Sequence, residues 1–239
     1  MTKAKIFLFF IAFLSIVGWG PFTFISNLLA PKTEVPAESK GWVESEMREI
    51  DSQVDNIDQN VLKLGLVAYL KAQNKGIIGK PYLTIIDYSK PSTERRLWVV
   101  DMKSNRVLFN TWVTHGKNSG DVMATSFSNE PGSLKSSIGV FLTKNPYNGG
   151  NGYSLHLLGL EEGINDNAYR RSIVVHGAWY ADPNMVKAAG GQIGRSWGCP
   201  AVSPDMIRPL INTIKDNSLV VVYYPDRNWL THSSFLATG

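Results

Sequence analysis

Beyond residue 81 the chain stops repeating its apolar residues every three or four positions and begins to run in short β-branched and aromatic bursts, and this change constrains the fold more than any other feature. Residues 82–88 (Tyr82, Leu83, Ile85, Ile86, Tyr88), 96–102 (Leu97, Trp98, Val99, Val100) and 106–114 (Val107, Leu108, Phe109, Trp112, Val113) read as three strands. They are separated by the turn segments 89–92 and 103–105, too short for crossovers, so they form an antiparallel meander. Further strands are expected at 138–143, 153–159, 172–175 and 219–224. Ser203-Pro204-Asp205 reads as a helix start, with Ser203 as cap, Pro204 at the first helical position, and Ile207, Leu210, Ile211 and Ile214 as the buried side. Upstream, Met47, Ile50, Val54, Ile57, Val61, Leu64 and Ala68 form one helical stripe, with a break expected near Asp55-Asn56. The stripe suits an amphipathic helix lying on the domain better than a coiled coil, because 66–70 is apolar all round. The expectation is a mainly β domain over 81–226, a helical segment over 41–80 and a tail over 227–239, with His232 in a frayed end.

Residues 1–30 carry Lys3 and Lys5, no acid, and an apolar run from Ile6 to Val17 that continues past Pro21 to Leu29. That pattern is an export signal, either cleaved or retained as a membrane anchor with its charged end in the cytoplasm. A polar linker with two prolines follows over 31–40. The expected location is therefore the periplasm or cell envelope. The formal charge of +4 falls to +2 once Lys3 and Lys5 are set aside, and no basic cluster with interleaved aromatics appears, which argues against nucleic acid as a partner. One cysteine forbids an internal disulfide. Four histidines and one cysteine never approach metal-ligand spacing, so no metal and no cofactor are expected.

That cysteine is Cys199, within Gly194-Arg195-Ser196-Trp197-Gly198-Cys199-Pro200. His176 closes the apolar run 172–175 and is followed by Gly177. A thiol among small residues and a strand-end imidazole are the parts of a cysteine nucleophile and its base. Gly198 admits close approach of backbone, and the amides of Gly198 and Cys199 are candidate oxyanion donors. Ser196 is placed to steady the loop by hydrogen bonding, and Arg195 to favour a thiolate or a substrate carboxylate. The second nitrogen of His176 needs an acceptor, for which the Gly177 carbonyl is the nearest candidate. Tyr153, His156 and Trp197 are candidate substrate contacts, and His115 reads as a solvated loop residue opening the long segment 115–137.

His176-Gly177 followed by Gly194-x-Ser196-x-Gly198-Cys199 resembles the catalytic domain of the L,D-transpeptidases, the YkuD-type proteins that remodel bacterial peptidoglycan (murein). The resemblance runs from about Leu83 to Tyr224 and includes Phe127-Ser128-Asn129, Ser136-Ser137-Ile138-Gly139 and Gly152-Tyr153-Ser154-Leu155. Trp197 stands where many members have His or Gln, and Ala201 where many have arginine. The resemblance implies a β-sandwich or barrel-like catalytic domain acting on peptidoglycan stem peptides. It implies attack by Cys199 on the carbonyl of the third residue's L-centre and loss of the terminal D-alanine. The resulting thioester is resolved by an amine in a transpeptidase and by water in an L,D-carboxypeptidase. A non-catalytic wall-binding protein of the same fold is a third reading.

Overall fold

The structure is a computed structural model, and it describes residues 37–188 and 193–236. Residues 1–30, expected to be an export signal, and most of the expected linker lie outside the described residues. Among those described, no helix is long and apolar enough to cross a membrane.

Two helices come first, α1 (Ala37–Asp51) and α2 (Gln59–Asn74). The single stripe in the sequence is broken over 52–58, where Asp58 caps α2 by accepting from the amides of Asn60 and Val61 at 2.8 and 3.1 Å. Ile50, Ile57, Val61, Leu64 and Ala68 are all buried, so the stripe is continuous across the break and lies on the domain. Gly65 brings α2 close to the sheet, since a Cβ there would sit 2.7 Å from the Ile85 side chain.

The strands are β1 (Tyr82–Asp87), β2 (Leu97–Asp101), β3 (Arg106–Thr111), β4 (Gly139–Gly149), β5 (Gly152–Gly159), β6 (Val174–Gly177), β7 (Ala201–Val202) and β8 (Leu219–Tyr223). They form one sheet in the order β3-β2-β1-β8-β4-β5-β6-β7. The expected meander is β1-β2-β3, antiparallel throughout. The β1–β8 and β6–β7 pairs are parallel. Past the end of β3 the chain bonds to the opposite edge of the sheet: the Thr114 amide donates to the Ala201 carbonyl at 2.9 Å and Thr114 Oγ1 accepts from the Ala201 amide at 3.2 Å. The sheet is thereby nearly closed on itself, and the mainly β, barrel-like architecture is as expected. Its central strands β1 and β8 are almost wholly buried, which fits their near-continuous apolar runs.

Helix α3 (Pro183–Ala188) follows a 3₁₀ turn at Trp179–Ala181, and α4 (Pro204–Ile214) follows β7. Ile207, Leu210, Ile211 and Ile214 are the buried side of α4 as predicted, and Pro204 opens it, but the Ser203 side chain makes no capping hydrogen bond. Strand β4 extends six residues past the expected end at Thr143. A register shift between Thr143 and Pro146 accommodates the proline, and the strand then closes in a hairpin at Gly149 and Gly152. The described part of the tail, 227–236, is packed rather than frayed. Residues 227–232 form α5 (Arg227–His232), with Trp229 and Leu230 buried, and Phe235 and Leu236 are buried beyond it. Glu161 holds this segment: it accepts from Trp229 Nε1 at 2.9 Å, from the Val140 amide at 2.7 Å, and from the Ser233 hydroxyl.

Candidate active site

The β6–β7 pair sets His176 directly opposite Ala201, and the His176 amide reaches the Pro200 carbonyl at 3.4 Å. Cys199 is therefore delivered within two residues of the position facing His176, although 23 positions separate the two in the chain (199 − 176).

The cysteine loop is held from three sides. A parallel bridge joins Ser196 to Gly116, with the Ser196 amide donating to the His115 carbonyl at 3.0 Å and the Lys117 amide to the Ser196 carbonyl at 2.8 Å. Within the loop, Ser196 Oγ donates to the Cys199 carbonyl at 2.5 Å and accepts from the Gly198 amide at 3.1 Å. From a third segment, Ser136 Oγ accepts from the Gly116 amide at 2.9 Å and donates to the Gly198 carbonyl at 3.1 Å. Only glycine fits at 198. Its φ is +124°, and a Cβ would stand 2.6 Å from the Lys135 carbonyl oxygen.

These bonds leave one of the two candidate oxyanion donors expected from the sequence without a protein partner among the described residues. The Gly198 amide is taken by Ser196 Oγ. The Cys199 amide has no protein acceptor among the described residues. It shares a peptide plane with the Gly198 carbonyl, and in a trans peptide the C=O and N–H point to opposite sides. Ser136, by fixing that carbonyl, fixes the direction in which the Cys199 N–H points.

His176 is 4 % exposed. Its Nδ1 lies 3.0 Å from the Gly177 carbonyl, which can only accept, so Nδ1 carries the proton and Nε2 presents a lone pair. Burial holds the imidazole below its ordinary value, so the ring is neutral near pH 7. The Cys199 thiol is half-buried and its Sγ is directed at the Ser172 carbonyl, 3.5 Å away, with no hydrogen bond to His176. Burial pushes this thiol up, while the Val174 amide and the Arg171 guanidinium pull it back. The resting groups are a neutral thiol on the loop before β7 and a neutral imidazole on β6, not an ion pair.

A cavity of ≈ 540 Å³ opens beside His176, walled by Gly150–Tyr153 of the hairpin, Gly177–Tyr180, Pro204, Ile207 and Arg208. Tyr153 belongs to this wall, its ring under Arg208 and its hydroxyl donating to Asn212 Oδ1 at 2.9 Å. A second cavity of ≈ 470 Å³ shares Trp179 and Tyr180 and is completed by Lys117, Met185, Ile193, Gly194 and Arg195.

Of the remaining expected residues, Arg195 lines only the second cavity, and Trp197 and His156 line neither. Arg195 is paired with Asp121 and also donates to the Gly120 carbonyl at 3.1 Å, so its charge is taken up away from the thiol. Trp197 is 75 % exposed, with Lys117 Nζ 5.6 Å from its ring centre. His156 lies outside both cavities, stacked on Tyr147 at 4.5 Å and tilted against Tyr169 at 4.9 Å. His115 is fully buried rather than solvated: its Nδ1 accepts from Arg96 at 2.8 Å, and its Nε2–H donates to the Gly120 carbonyl at 3.2 Å. Ser136 and Arg171 are candidate site residues to which the sequence reasoning gives no role. Ser136 lies in a Ser-Ser-Ile-Gly stretch that signals nothing by itself, and Arg171 is one of two adjacent arginines before the His176 strand. Among the described residues no group of acidic, histidine or cysteine side chains is arranged to hold a metal.

A thiol on the loop entering β7 and a neutral imidazole on the paired strand β6, where it lines a groove walled by aromatic and cationic side chains, are parts suited to cysteine acyl transfer. The L,D-transpeptidase catalytic domain family matches residues 53–223, and the chain belongs to that family. No curated protein matches it. Among solved structures it is similar to an L,D-transpeptidase from Mycobacterium smegmatis, at 14% identity and a TM-score of 0.38, over 61% of this chain and 60% of that one. It is also similar to L,D-transpeptidase 1 of Mycobacterium tuberculosis, at 14% identity and a TM-score of 0.35, over 61% and 63%. An L,D-transpeptidase from Stackebrandtia nassauensis gives 12% identity and a TM-score of 0.35, over 81% and 97%. The chain thus spans about three fifths of the length of the two mycobacterial structures.

Proposed function

We propose that this chain is an exported peptidoglycan L,D-transpeptidase in which Cys199 is the nucleophile and His176 the proton carrier. The observation that carries the proposal is the β6–β7 register, which sets His176 opposite Ala201, two positions from the chain's only thiol, inside a domain of this family. Residues 1–30 supply the export signal, as the substrate requires.

A donor stem tetrapeptide binds in the cavity beside His176. The Cys199 side chain leaves the Ser172 carbonyl, passes its proton to His176 Nε2, and its sulfur attacks the carbonyl of the third residue's L-centre. The oxyanion is received by the Cys199 amide, held in direction through Ser136. His176 then gives its proton to the departing D-alanine amine, leaving a thioester. An amine of a second stem attacks the thioester, His176 takes the proton lost by that amine, and the proton returns to the thiolate as the cross-link is released.

The test is incubation of the full-length protein with purified disaccharide tetrapeptides, with product masses as the readout. Release of D-alanine with a dimer is expected. Release with tripeptide alone makes the protein an L,D-carboxypeptidase, and unchanged tetrapeptide from a folded sample counts against activity on this substrate.

A further inference from the structure

The sequence places a cation, Arg195, within the nucleophile's own loop, but Arg195 is engaged by Asp121 and Gly120. A different guanidinium, that of Arg171, is anchored to the segment that packs against Gly198. Arg171 immediately precedes Ser172, whose carbonyl faces Cys199 Sγ at 3.5 Å and whose φ of +54° is a rare backbone state for a serine. The Arg171 guanidinium is pinned to four oxygens of the 128–137 segment. Nη1 donates to the Ser128 carbonyl and to Ser137 Oγ at 2.6 Å, and Nη2 donates to Ser133 Oγ at 3.1 Å and to the Lys135 carbonyl at 2.7 Å. The Lys135 carbonyl oxygen is the atom that packs against Gly198, where a Cβ would meet it at 2.6 Å. One side chain therefore ties together the residue that faces the sulfur and the segment that supports the sulfur's loop.

All four acceptors are uncharged, and no ion pair among the described residues includes Arg171. Its positive charge is fixed in place and not cancelled by a bonded carboxylate. We propose that Arg171 is a positioning residue for the reaction, a pinned cation that stabilises the Cys199 thiolate and takes the part that Arg195 does not play. The inference rests on Cys199 being the nucleophile. Burial raises the thiol and Arg171 lowers it, and Cys199 is in turn the first anion to act on Arg171, ahead of Glu130. The other titratable groups to be weighed are Tyr180 and Tyr88, which the thiol also influences, and His176 on the strand paired with β7. None of them is a carboxylate and Arg171 is the sole permanent cation in the set.

Because Cys199 is the only cysteine, the rate of iodoacetamide alkylation of the full-length protein against pH reports this thiol alone. In Arg171→Gln the midpoint of that profile is expected to rise by about one pH unit or more, the effect of removing a close opposite charge. Alkylation near pH 7 then slows about tenfold. Arg171→Lys, which keeps the charge, should restore most of the shift. Ser133→Ala with Ser137→Ala, which keeps the arginine but releases two of its anchors, should raise the midpoint by less. A merely structural role would lower the melting temperature of Arg171→Gln and leave the midpoint where it is. A folded Arg171→Gln with the wild-type midpoint overturns the proposal. If that variant does not fold, a wild-type midpoint in the double serine variant overturns it instead. The alkylation needs no muropeptide, so a protein inert toward tetrapeptides but showing these shifts would sink the proposed activity without touching the thiol–arginine coupling.

Discussion

Replacing Ser136 by alanine removes one hydroxyl and leaves two buried backbone groups without their partner. Ser136 is 1 % exposed, and its Oγ is the recorded acceptor for the Gly116 amide and the recorded donor to the Gly198 carbonyl. A buried polar group left unsatisfied costs about 1–3 kcal/mol, so two of them cost at least about 2 kcal/mol. In a chain of this size that lowers Tm by roughly 4–8 °C. The effect on catalysis is separate. With the Gly198 carbonyl released, the plane it shares with the Cys199 amide is free to rotate, and the oxyanion donor loses its aim. Removing one such donor costs up to about 10²–10³ in kcat, and a donor still present but misdirected is expected to cost about 10–100-fold. The assay is steady-state release of D-alanine from a tetrapeptide, below the variant's Tm, with KM and kcat separated. The reasoning requires kcat to fall with KM little changed. A variant with the calculated loss of Tm and a wild-type kcat would refute it and leave Ser136 as a packing residue only.

Two further outcomes follow from groups outside the reacting pair. His115 is held down to about 4 by burial and by Arg96, against about 6.5 in an unfolded chain, so the fold favours the neutral ring. That contribution is complete above pH 6.5 and is lost as pH falls toward 4, amounting to about 2 kcal/mol between pH 7 and pH 5. Urea unfolding should show the wild type losing about that much more than His115→Gln over this interval, and equal losses would contradict the assignment. Glu161→Ala removes the acceptor shared by Trp229, Ser233 and Val140, and should expose the 227–236 segment to trypsin at Arg227 well before the rest of the domain is cut. Simultaneous cleavage throughout would show that Glu161 does not hold the tail.

Local pattern made much of this legible. The β1–β3 meander, the buried side of α4 and the helical stripe across α1 and α2 each follow from apolar period and turn residues, because those signals reside in the segment itself. The lone cysteine and the strand-end histidine stood out for the same reason. The pairing of β1 with β8 and of β6 with β7 did not, since both join strands distant in sequence and β7 is two residues long. The fate of the charges was hidden likewise. Arg195 lies four residues from the thiol yet bonds to Asp121, whereas Arg171, 28 positions before the thiol (199 − 171), is the cation that acts on it. His115 looked solvated because its partner Arg96 arrives from another strand. The tail looked frayed because Glu161, which anchors it, lies far upstream.

The central claim is that Cys199 carries the acyl group and His176 moves the proton. Intact-protein mass spectrometry during turnover of a tetrapeptide tests this most directly. The account predicts an adduct of the tripeptide-acyl mass on Cys199, absent in Cys199→Ala and formed far more slowly in His176→Ala. D-alanine released with the adduct on another residue, or at an undiminished rate in Cys199→Ala, would contradict it.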